Sequence, residues 1–347
     1  MAYARPCGDF KTSYAQDMAL LDVRLYRWGF LLLLAGLAAA PWVLGRWIFL
    51  LNDVAVFAIG ATGLSLVMGF AGQISLGHAA FMAVGAYTSW FVTSQLRLPF
   101  AVALPASAGV AFVVGAVVGL PSLRIKGLYL AIATLAFQFL VEYLIVQTVS
   151  GMAGTPVPPM ELFGIPVNTE ARFWYLAATV WVLGAVFATN LTRTRVGVAL
   201  MAVRDRDYAA QVLGVNLLYY KTLAFALGAA YAGVAGSLFA HYNRVIGAEH
   251  FSLAQSIDFV AMLVIGGLGS VWGPHLGAAF VRALTQLSKM AAPLLAASVP
   301  LLGRATVSVR DVLFGLILIG VLVWEPGGLA ALLRKLKRYV DLWPFPH

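Results

Sequence analysis

The sequence predicts an all-α integral membrane protein of about ten transmembrane helices, with its N- and C-termini in the cytoplasm. Only 11% of the residues are charged and 61% are hydrophobic, whereas a soluble domain carries roughly 25% charged residues. Apolar stretches of about 20 residues, the length that crosses a bilayer, recur along the chain. The net charge of +9 comes largely from basic residues between these stretches, which indicates membrane topology rather than nucleic-acid binding.

Three regions follow from the distribution of charge and hydropathy. Residues 1–26 form a polar extension, predicted to be cytoplasmic or interfacial, and no small-residue cleavage site follows it, so we expect it to stay attached. Residues 27–328 form the membrane domain, and residues 329–347 form a basic cytoplasmic tail. The single cysteine, Cys7, excludes an intrachain disulfide framework and a cysteine-based metal site.

The first half of the membrane domain contains apolar windows that are long enough to be spans. The fourth of them carries Gly115 and Gly119, a small-xxx-small pattern that predicts close packing on another helix. A polar, proline-rich loop at 150–171 follows the fifth window. The predicted spans in this half are 28–44, 47–69, 79–95, 100–120 and 127–149.

The second half is predicted to add five more spans, and their number depends on a break near Gly273 and Pro274. With the N-terminus inside, an even number of crossings returns the basic tail to the cytoplasm, whereas nine would leave it outside. Arg282 and Lys289 lie inside the ninth window and make it the weakest of the predicted spans. The predicted spans in this half are 172–190, 222–241, 255–270, 275–297 and 309–324.

Residues 69–81, here called the glycine stretch, lie between the second and third predicted spans and read GFAGQISLGHAAF. Polar side chains and irregular backbone are costly at membrane depth. A glycine-rich break frees backbone groups to meet a solute, but glycine also permits a tight helix crossing. For Gln73, Ser75 and His78, lining of a transport pathway and helix packing both remain open. The candidate pathway residues are Gly69, Gly72, Gln73, Ser75, Gly77 and His78.

The longest polar stretch is the loop at 191–220. Within it, residues 195–216 are predicted to form one amphipathic helix that Gly214 closes, with a charged turn at 204–207. Its predicted apolar side holds Ala199, Val203, Ala210 and Leu213. Such a helix would dock into a groove on a partner protein, but the alternative is a solvated interfacial loop with positive-inside charge.

The glycine stretch, extended to Tyr87 and taken together with Arg204 and Asp205, resembles the LivM-type permease subunit of branched-chain amino acid ABC importers. Further similar segments are RIKGLYLAIATLA at 124–136, GGLGSVWGP at 266–274 and EPGGL at 325–329. They occur in the family's order and extend the resemblance over residues 50–330. The loop at 150–154 and the N-terminal extension depart from the family pattern.

The resemblance implies a multi-pass permease of the bacterial inner membrane that translocates branched-chain amino acids by alternating access. It implies a LivH-type paralogue, two ABC ATPase subunits that hold ATP and Mg, and a periplasmic solute-binding protein as partners, with lipid around the chain. The loop at 191–220 would contact the ATPase. Related permeases serve urea, short amides or aromatic acids, so these solutes remain alternatives. The implied residues of the coupling loop are Gly197, Arg204, Asp205, Ala209 and Gly214.

The residues themselves agree with a transport subunit that is not an enzyme. The sequence contains no Gly-x-x-x-x-Gly-Lys-Ser/Thr loop, so ATP that drives transport would bind to another chain. The same absence fits an ion-coupled secondary transporter that uses Glu142 or Asp258. A Gly-x-Ser-x-Gly elbow is also absent. We expect His78 and His241 to pack rather than to bind metal, and we expect no cofactor on this chain.

Overall fold

The computed structural model describes residues 24–125, 127–150, 154–162, 164–298, 315–316, 319–320, 323 and 327–342. Most of these residues are helical. The helices are α1 Arg24–Leu44, α2 Ile48–Leu64, α3 His78–Trp90, α4 Phe100–Gly119, α5 Leu128–Ile145, α6 Glu170–Arg193, α7 Arg195–Asp205, α8 Asp207–Val212, α9 Leu217–Asn243, α10 Leu253–Gly266, α11 Gly273–Ser298 and α12 Gly328–Leu342. Helices α2, α3 and α5 continue as π-helical turns at Ser65–Phe70, Phe91–Gln95 and Val146–Ser150.

Within the described residues, six helical stretches are long and apolar enough to cross a membrane. The prediction of a helical, multi-pass membrane protein is therefore confirmed, whereas the count of ten and the location of the termini stay predictions. The tenth predicted span, 309–324, and the extension up to residue 23 lie largely outside the described residues. The six stretches are Leu31–Phe70, Phe100–Ser122, Leu128–Thr148, Glu170–Arg193, Leu217–Asn243 and Ala248–Gly266.

Helix α9 forms the centre of the bundle and packs against α2, α3 and α4. It is rich in alanine and glycine, which let neighbouring backbones approach closely. A β-carbon at Gly115 would collide with Ala229, and one at Gly119 would lie 2.9 Å from the β-carbon of Phe225. The predicted packing face of the fourth span therefore meets α9. This close packing matters because lipid tails offer no hydrophobic drive for helix association.

Helix α11, which contains the weakest predicted span, is tied to α2 by an ion pair. Arg282 Nε lies 2.5 Å from Asp53 Oδ2, and the guanidinium carbon lies 4.0 Å from the ring centroid of Phe57. Both charged side chains are largely buried. A charge at membrane depth is tolerated when it is paired inside the bundle, so Arg282 is compatible with the predicted position of this helix. The predicted break before α11 is confirmed.

The two ends of α9 define two ends of the bundle, which are about 40 Å apart at 1.5 Å per residue. Beyond its C-terminus lies the strand end, where β1 Thr155–Pro156 pairs antiparallel with β4 Val245–Ile246. A second pair, β2 Glu161–Leu162 with β3 Ile165–Pro166, belongs to the same loop region. Before the N-terminus of α9 lie α7 and α8, at what we call the Arg204 end.

The predicted single helix at 195–216 is wrong, because the chain forms α7 and α8 with a break at Arg206. Arg206 has extended backbone, with φ −155° and ψ 93°. Ala199, Val203 and Ala210 are buried as predicted, but Leu213 is 84% exposed. The break interrupts the helical period, so the apolar side of α7 does not continue to Leu213. Gly214, with φ +86°, follows the end of α8, which confirms the predicted stop.

Candidate functional site at the Arg204 junction

The glycine stretch leaves helical structure between the end of the π-turn at Phe70 and the start of α3 at His78. Gly72 has φ +67°, a left-handed conformation that glycine adopts readily. Gln73 N donates to Val67 O at 3.0 Å, which turns the chain back on the preceding helix. The break that the sequence predicts is therefore present.

Side chains from other helices satisfy the backbone donors around the start of α3. Unpaired donors at a buried helix start would be available to a solute or would destabilise the fold. Here they are occupied, and Gln138 in turn donates from Nε2 to Phe251 O. The break therefore forms an inter-helix joint at this point. The three bonds are Leu76 N to Thr134 Oγ1 (2.9 Å), Ala79 N to Ser256 Oγ (2.9 Å) and Ala80 N to Gln138 Oε1 (2.8 Å).

His78 and Gly77 contact the bundle interior. His78 is almost fully buried, its Nε2 lies 2.8 Å from Gly60 O, and its ring centroid lies 5.1 Å from that of Phe259. A β-carbon at Gly77 would collide with the carbonyl oxygen of Thr134. These contacts favour helix packing over pathway lining for both residues.

Arg204, near the C-terminus of α7, contacts the glycine stretch directly. Its Nη1 donates to Gly69 O at 2.9 Å, and its Nε donates to Asp205 Oδ1 at 2.9 Å. A β-carbon at Gly72 would lie only 2.7 Å from Arg204 Cγ. A β-carbon at Gly69 would lie 3.0 Å from Gly269 N, in the turn between α10 and α11. We call this meeting of three segments the Arg204 junction.

A cavity of about 450 Å³, here called the junction cavity, adjoins the Arg204 junction. The glycine stretch, the turn before α5, the α7–α8 break and α9 all contribute to its walls. Gln73 Nε2 donates to Lys221 O at 3.3 Å, and Lys221 Nζ lies 3.5 Å from Asp207 Oδ2. Buried Lys221 thus connects α9 with the start of α8. The lining residues that carry polar side chains are Gln73, Ser122, Arg204, Asp205, Arg206, Asp207, Tyr208 and Lys221.

Comparison with known sequences identifies the family to which this bundle belongs. The family described as "Branched-chain amino acid transport system / permease component" matches residues 47–322. The chain belongs to this permease family. The match includes the glycine stretch, α7, α8 and the turn before α11, so every segment of the Arg204 junction lies inside the matched range.

Three relatives show how widely this family is used. The high-affinity branched-chain amino acid transport system permease protein LivM of Escherichia coli K12 is 30% identical over 81% of this chain and 70% of its own length. LivH of Salmonella typhimurium LT2 is 25% identical over 67% of this chain and 81% of its own length. LsrC, an autoinducer 2 import system permease protein of Salmonella paratyphi B, is 31% identical over 50% of this chain and 49% of its own length. No solved structure gives a significant match.

The structure of the permease divides the residues predicted for the coupling loop into three groups. Gly197 is buried, and a β-carbon there would collide with the backbone of Thr192, so it allows α7 to pack on the end of α6. Arg204 and Asp205 lie at the junction. Ala209 and Gly214 lie on the exposed side of α8. On the same short helix and its end, three large side chains are exposed: Tyr208 by 75%, Val212 by 87% and Leu213 by 84%.

The candidate pathway residues of the permease are also divided. Gly69 and Gly72 lie at the junction, and Gln73 faces the junction cavity. Ser75 is buried, and its hydroxyl has no hydrogen-bond partner among the described residues. Glu142 on α5 and Asp258 on α10 are half-buried, and neither lines the junction cavity.

Sequence reasoning overlooked two side chains that hold the start of α3, Thr134 and Ser256. Gln138 is a polar residue inside the fifth predicted span, 127–149. The available signal was the same for all three: a hydrogen-bonding side chain in a window that must face lipid or protein. Sequence alone does not tell which backbone donor each side chain meets, because the bonded residues are 58 to 177 positions apart.

Proposed function

We propose that the chain is the LivM-type permease subunit of an ABC importer for branched-chain amino acids. It lies in the bacterial inner membrane with both termini and the Arg204 end in the cytoplasm. This orientation is supported by the arginines and lysines of the 191–220 loop and the C-terminal tail, which the positive-inside rule assigns to the cytoplasm. The name and extent of the LivM relative support the solute class.

The partners follow from the same family. Both LivM and LivH proteins are among the relatives, which supports a heterodimer of this chain with a LivH-type paralogue. Two ATPase subunits would bind ATP and Mg, and a periplasmic protein would deliver the solute. The chain itself would supply half of the pathway and one surface for an ATPase, without hydrolysing ATP.

The observation that carries the proposed mechanism is the contact between Arg204 and Gly69. Exposed Tyr208, Val212 and Leu213 on α8 give an ATPase groove an apolar helix face to bind. When the ATPases close, they would displace α8, and α7 would follow through the one-residue break at Arg206. The Arg204 bond would then transmit that displacement to the glycine stretch.

Displacement of the glycine stretch would reach the pathway through the helices on either side of it. Gly69 belongs to the π-turn of α2, and the stretch ends at the start of α3. The bonds from Thr134, Gln138 and Ser256 would make α3, α5 and α10 move together with it. Alternating access would therefore involve a shift of a rigid group of helices rather than local melting of the break.

The solute needs a test of its own, because the LsrC relative is named for autoinducer 2. The experiment is uptake of radiolabelled leucine into proteoliposomes that contain this chain, its paralogue, the ATPases and the cognate binding protein. Valine and isoleucine are expected to compete, whereas urea, short amides and aromatic acids are expected not to. Uptake that needs only this chain and an ion gradient would replace the proposal with a secondary transporter.

A further inference from the structure

Helix α12 begins where a membrane-spanning stretch ends. The apolar stretch Ala248–Gly266, which is long enough to cross a membrane, stops at the last residue of α10. A β-carbon at Gly267 would lie 2.7 Å from Gly327 O, and one at Gly328 would lie 2.6 Å from Gly267 N. The start of α12 is therefore packed backbone to backbone on the end of that stretch, at the level where membrane and water meet.

The turn between α10 and α11 places α12 at the Arg204 end of the bundle. Gly269 lies in the same turn as Gly267, and a β-carbon at Gly269 would lie 2.9 Å from Arg204 Nη1. Helix α12 contacts both α10 and α11. Because the proposed function assigns this end to the cytoplasm, α12 lies at the inner surface of the membrane.

Beyond its first turn, α12 exposes apolar and basic side chains on different sides. Ala330 is only 4% exposed, whereas Leu332 is 51% and Leu333 is 45% exposed. Arg334 and Lys335, which follow directly, are exposed as well. At 3.6 residues per turn, the leucine positions 329, 332, 333 and 336 share one side of the helix, and the basic positions 334, 335, 337 and 338 share the other. This division is typical of a helix that lies in the membrane interface.

The charge of α12 matches the charge of the membrane surface beside it. Asp341 is the only acidic residue of the helix, against the basic residues at 334, 335, 337 and 338. The cytoplasmic leaflet carries a negative surface potential because of its anionic lipids, and it attracts basic segments that lie next to a span. A membrane surface also accepts the exposed leucines, because its acyl region lies directly below the phosphates.

We propose that α12 lies along the inner surface of the membrane and binds anionic phospholipid. The side of the membrane rests on the proposed function. Leu332 and Leu333 would enter the acyl region, while Arg334 and Lys335 would contact lipid phosphates. Because the start of α12 is packed on the turn between α10 and α11, this contact would hold one segment of the Arg204 junction at the membrane surface.

Spin labels on two sides of α12 test the contact with lipid. In a Cys7→Ser background, the assembled importer carries Leu333→Cys or Lys335→Cys, at positions about 200° apart around the helix. Each is labelled in vesicles of phosphatidylglycerol and phosphatidylcholine. The label at 333 should collide more with oxygen, which partitions into the membrane, and the label at 335 more with a nickel chelate, which stays in water. Equal access of the nickel chelate to both labels overturns the proposal.

Arg334→Gln tests whether the charge of the lipid matters. The phosphatidylglycerol content is set so that the label at 333 shows similar bound and free populations. The substitution should then lower the ratio of bound to free label about 5-fold. Arg195→Gln is the matched control, because it removes an exposed arginine at the same end of the bundle but outside α12. An unchanged ratio in Arg334→Gln, an equal loss in the control, or full binding in phosphatidylcholine alone overturns the assignment to anionic lipid.

The permease pair without its ATPases distinguishes lipid from a protein partner. The label at 333 should keep its membrane contact in this sample. Protection of that label from both oxygen and the nickel chelate, seen only when the ATPases are present, would assign the exposed leucines to a protein partner and overturn the proposal.

A last measurement separates this proposal from the proposed function. A membrane-impermeant maleimide should modify Lys335→Cys in inside-out membrane vesicles and leave it unmodified in right-side-out vesicles. Modification in right-side-out vesicles contradicts the orientation given in the proposed function, and with it the inner leaflet. Equal access of the nickel chelate to the labels at 333 and 335, with the expected maleimide result, contradicts the α12 proposal alone.

Discussion

Arg204→Met tests the proposed transmission at the Arg204 junction. Methionine keeps an unbranched stem near Gly72 but removes the donors to Gly69 O and Asp205 Oδ1. A hydrogen bond from a charged donor contributes about 1.5–3 kcal/mol. Because the Arg204 side chain is 37% exposed, we expect about 1 kcal/mol here. A coupling free energy of that size corresponds to about a 5-fold change, so leucine imported per ATP hydrolysed should fall about 5-fold.

The assay measures leucine uptake and phosphate release in the same proteoliposomes that contain the complete importer. Arg195→Met is the matched control, because it makes the same substitution on an exposed residue at the other end of α7. Hydrolysis should continue in both variants, and only Arg204→Met should lose uptake per ATP. If Arg204→Met keeps the wild-type ratio, the bond to Gly69 does not transmit the movement of α7.

Four further perturbations address other parts of the structure. Gly72→Ala should lower leucine uptake more than Gly214→Ala. Both glycines have positive φ, but only a β-carbon at Gly72 would meet Arg204. Equal effects on uptake would indicate backbone strain alone. Gln138→Leu should lower the free energy of unfolding by about 1–3 kcal/mol in a thermal melt, because it removes the side-chain bonds to Ala80 N, Phe251 O and Ser256 Oγ. Thr179→Val, whose exposed hydroxyl bonds within its own helix, should melt normally. Asp53→Leu should lower the free energy of unfolding by about 3 kcal/mol, because it leaves the buried charge of Arg282 unpaired. Adding Arg282→Met removes that charge and should recover most of the lost stability. A double variant that is no more stable than Asp53→Leu would contradict this pairing. Leu213→Glu should abolish binding of the ATPase subunits in a pull-down, while Val245→Glu, a substitution of an exposed residue at the strand end, should retain it; binding by both would exclude α8 as the docking surface.

The sequence predicted features that depend on local composition and period. Span lengths followed from hydropathy, and the packing of Gly115 and Gly119 on another helix followed from their four-residue spacing. The stop at Gly214 was also predictable, because a glycine just past a helix end adopts positive φ at little cost. Each of these properties is encoded in a short window of residues.

Contacts between distant residues were not predictable in the same way. Arg204 and Gly69 are 135 positions apart, and both belonged to separate candidate sites in the sequence. The position of Leu213 depended on the break at Arg206, whose extended backbone no period reveals. Likewise, His78 had to be placed beside Gly60 before packing could be favoured over pathway lining. Tertiary arrangement determines each of these features.

The most direct test of the central claim measures whether α8 and the glycine stretch move together. In a Cys7→Ser background, spin labels at Tyr208 or Ile74, both exposed, are each paired with a label at Val245 of the strand end. Trapping ATP in the assembled importer should change both the Tyr208–Val245 and the Ile74–Val245 distances in the wild type. In Arg204→Met, only the Tyr208–Val245 distance should change. A wild-type change at Tyr208 without one at Ile74 would contradict the account.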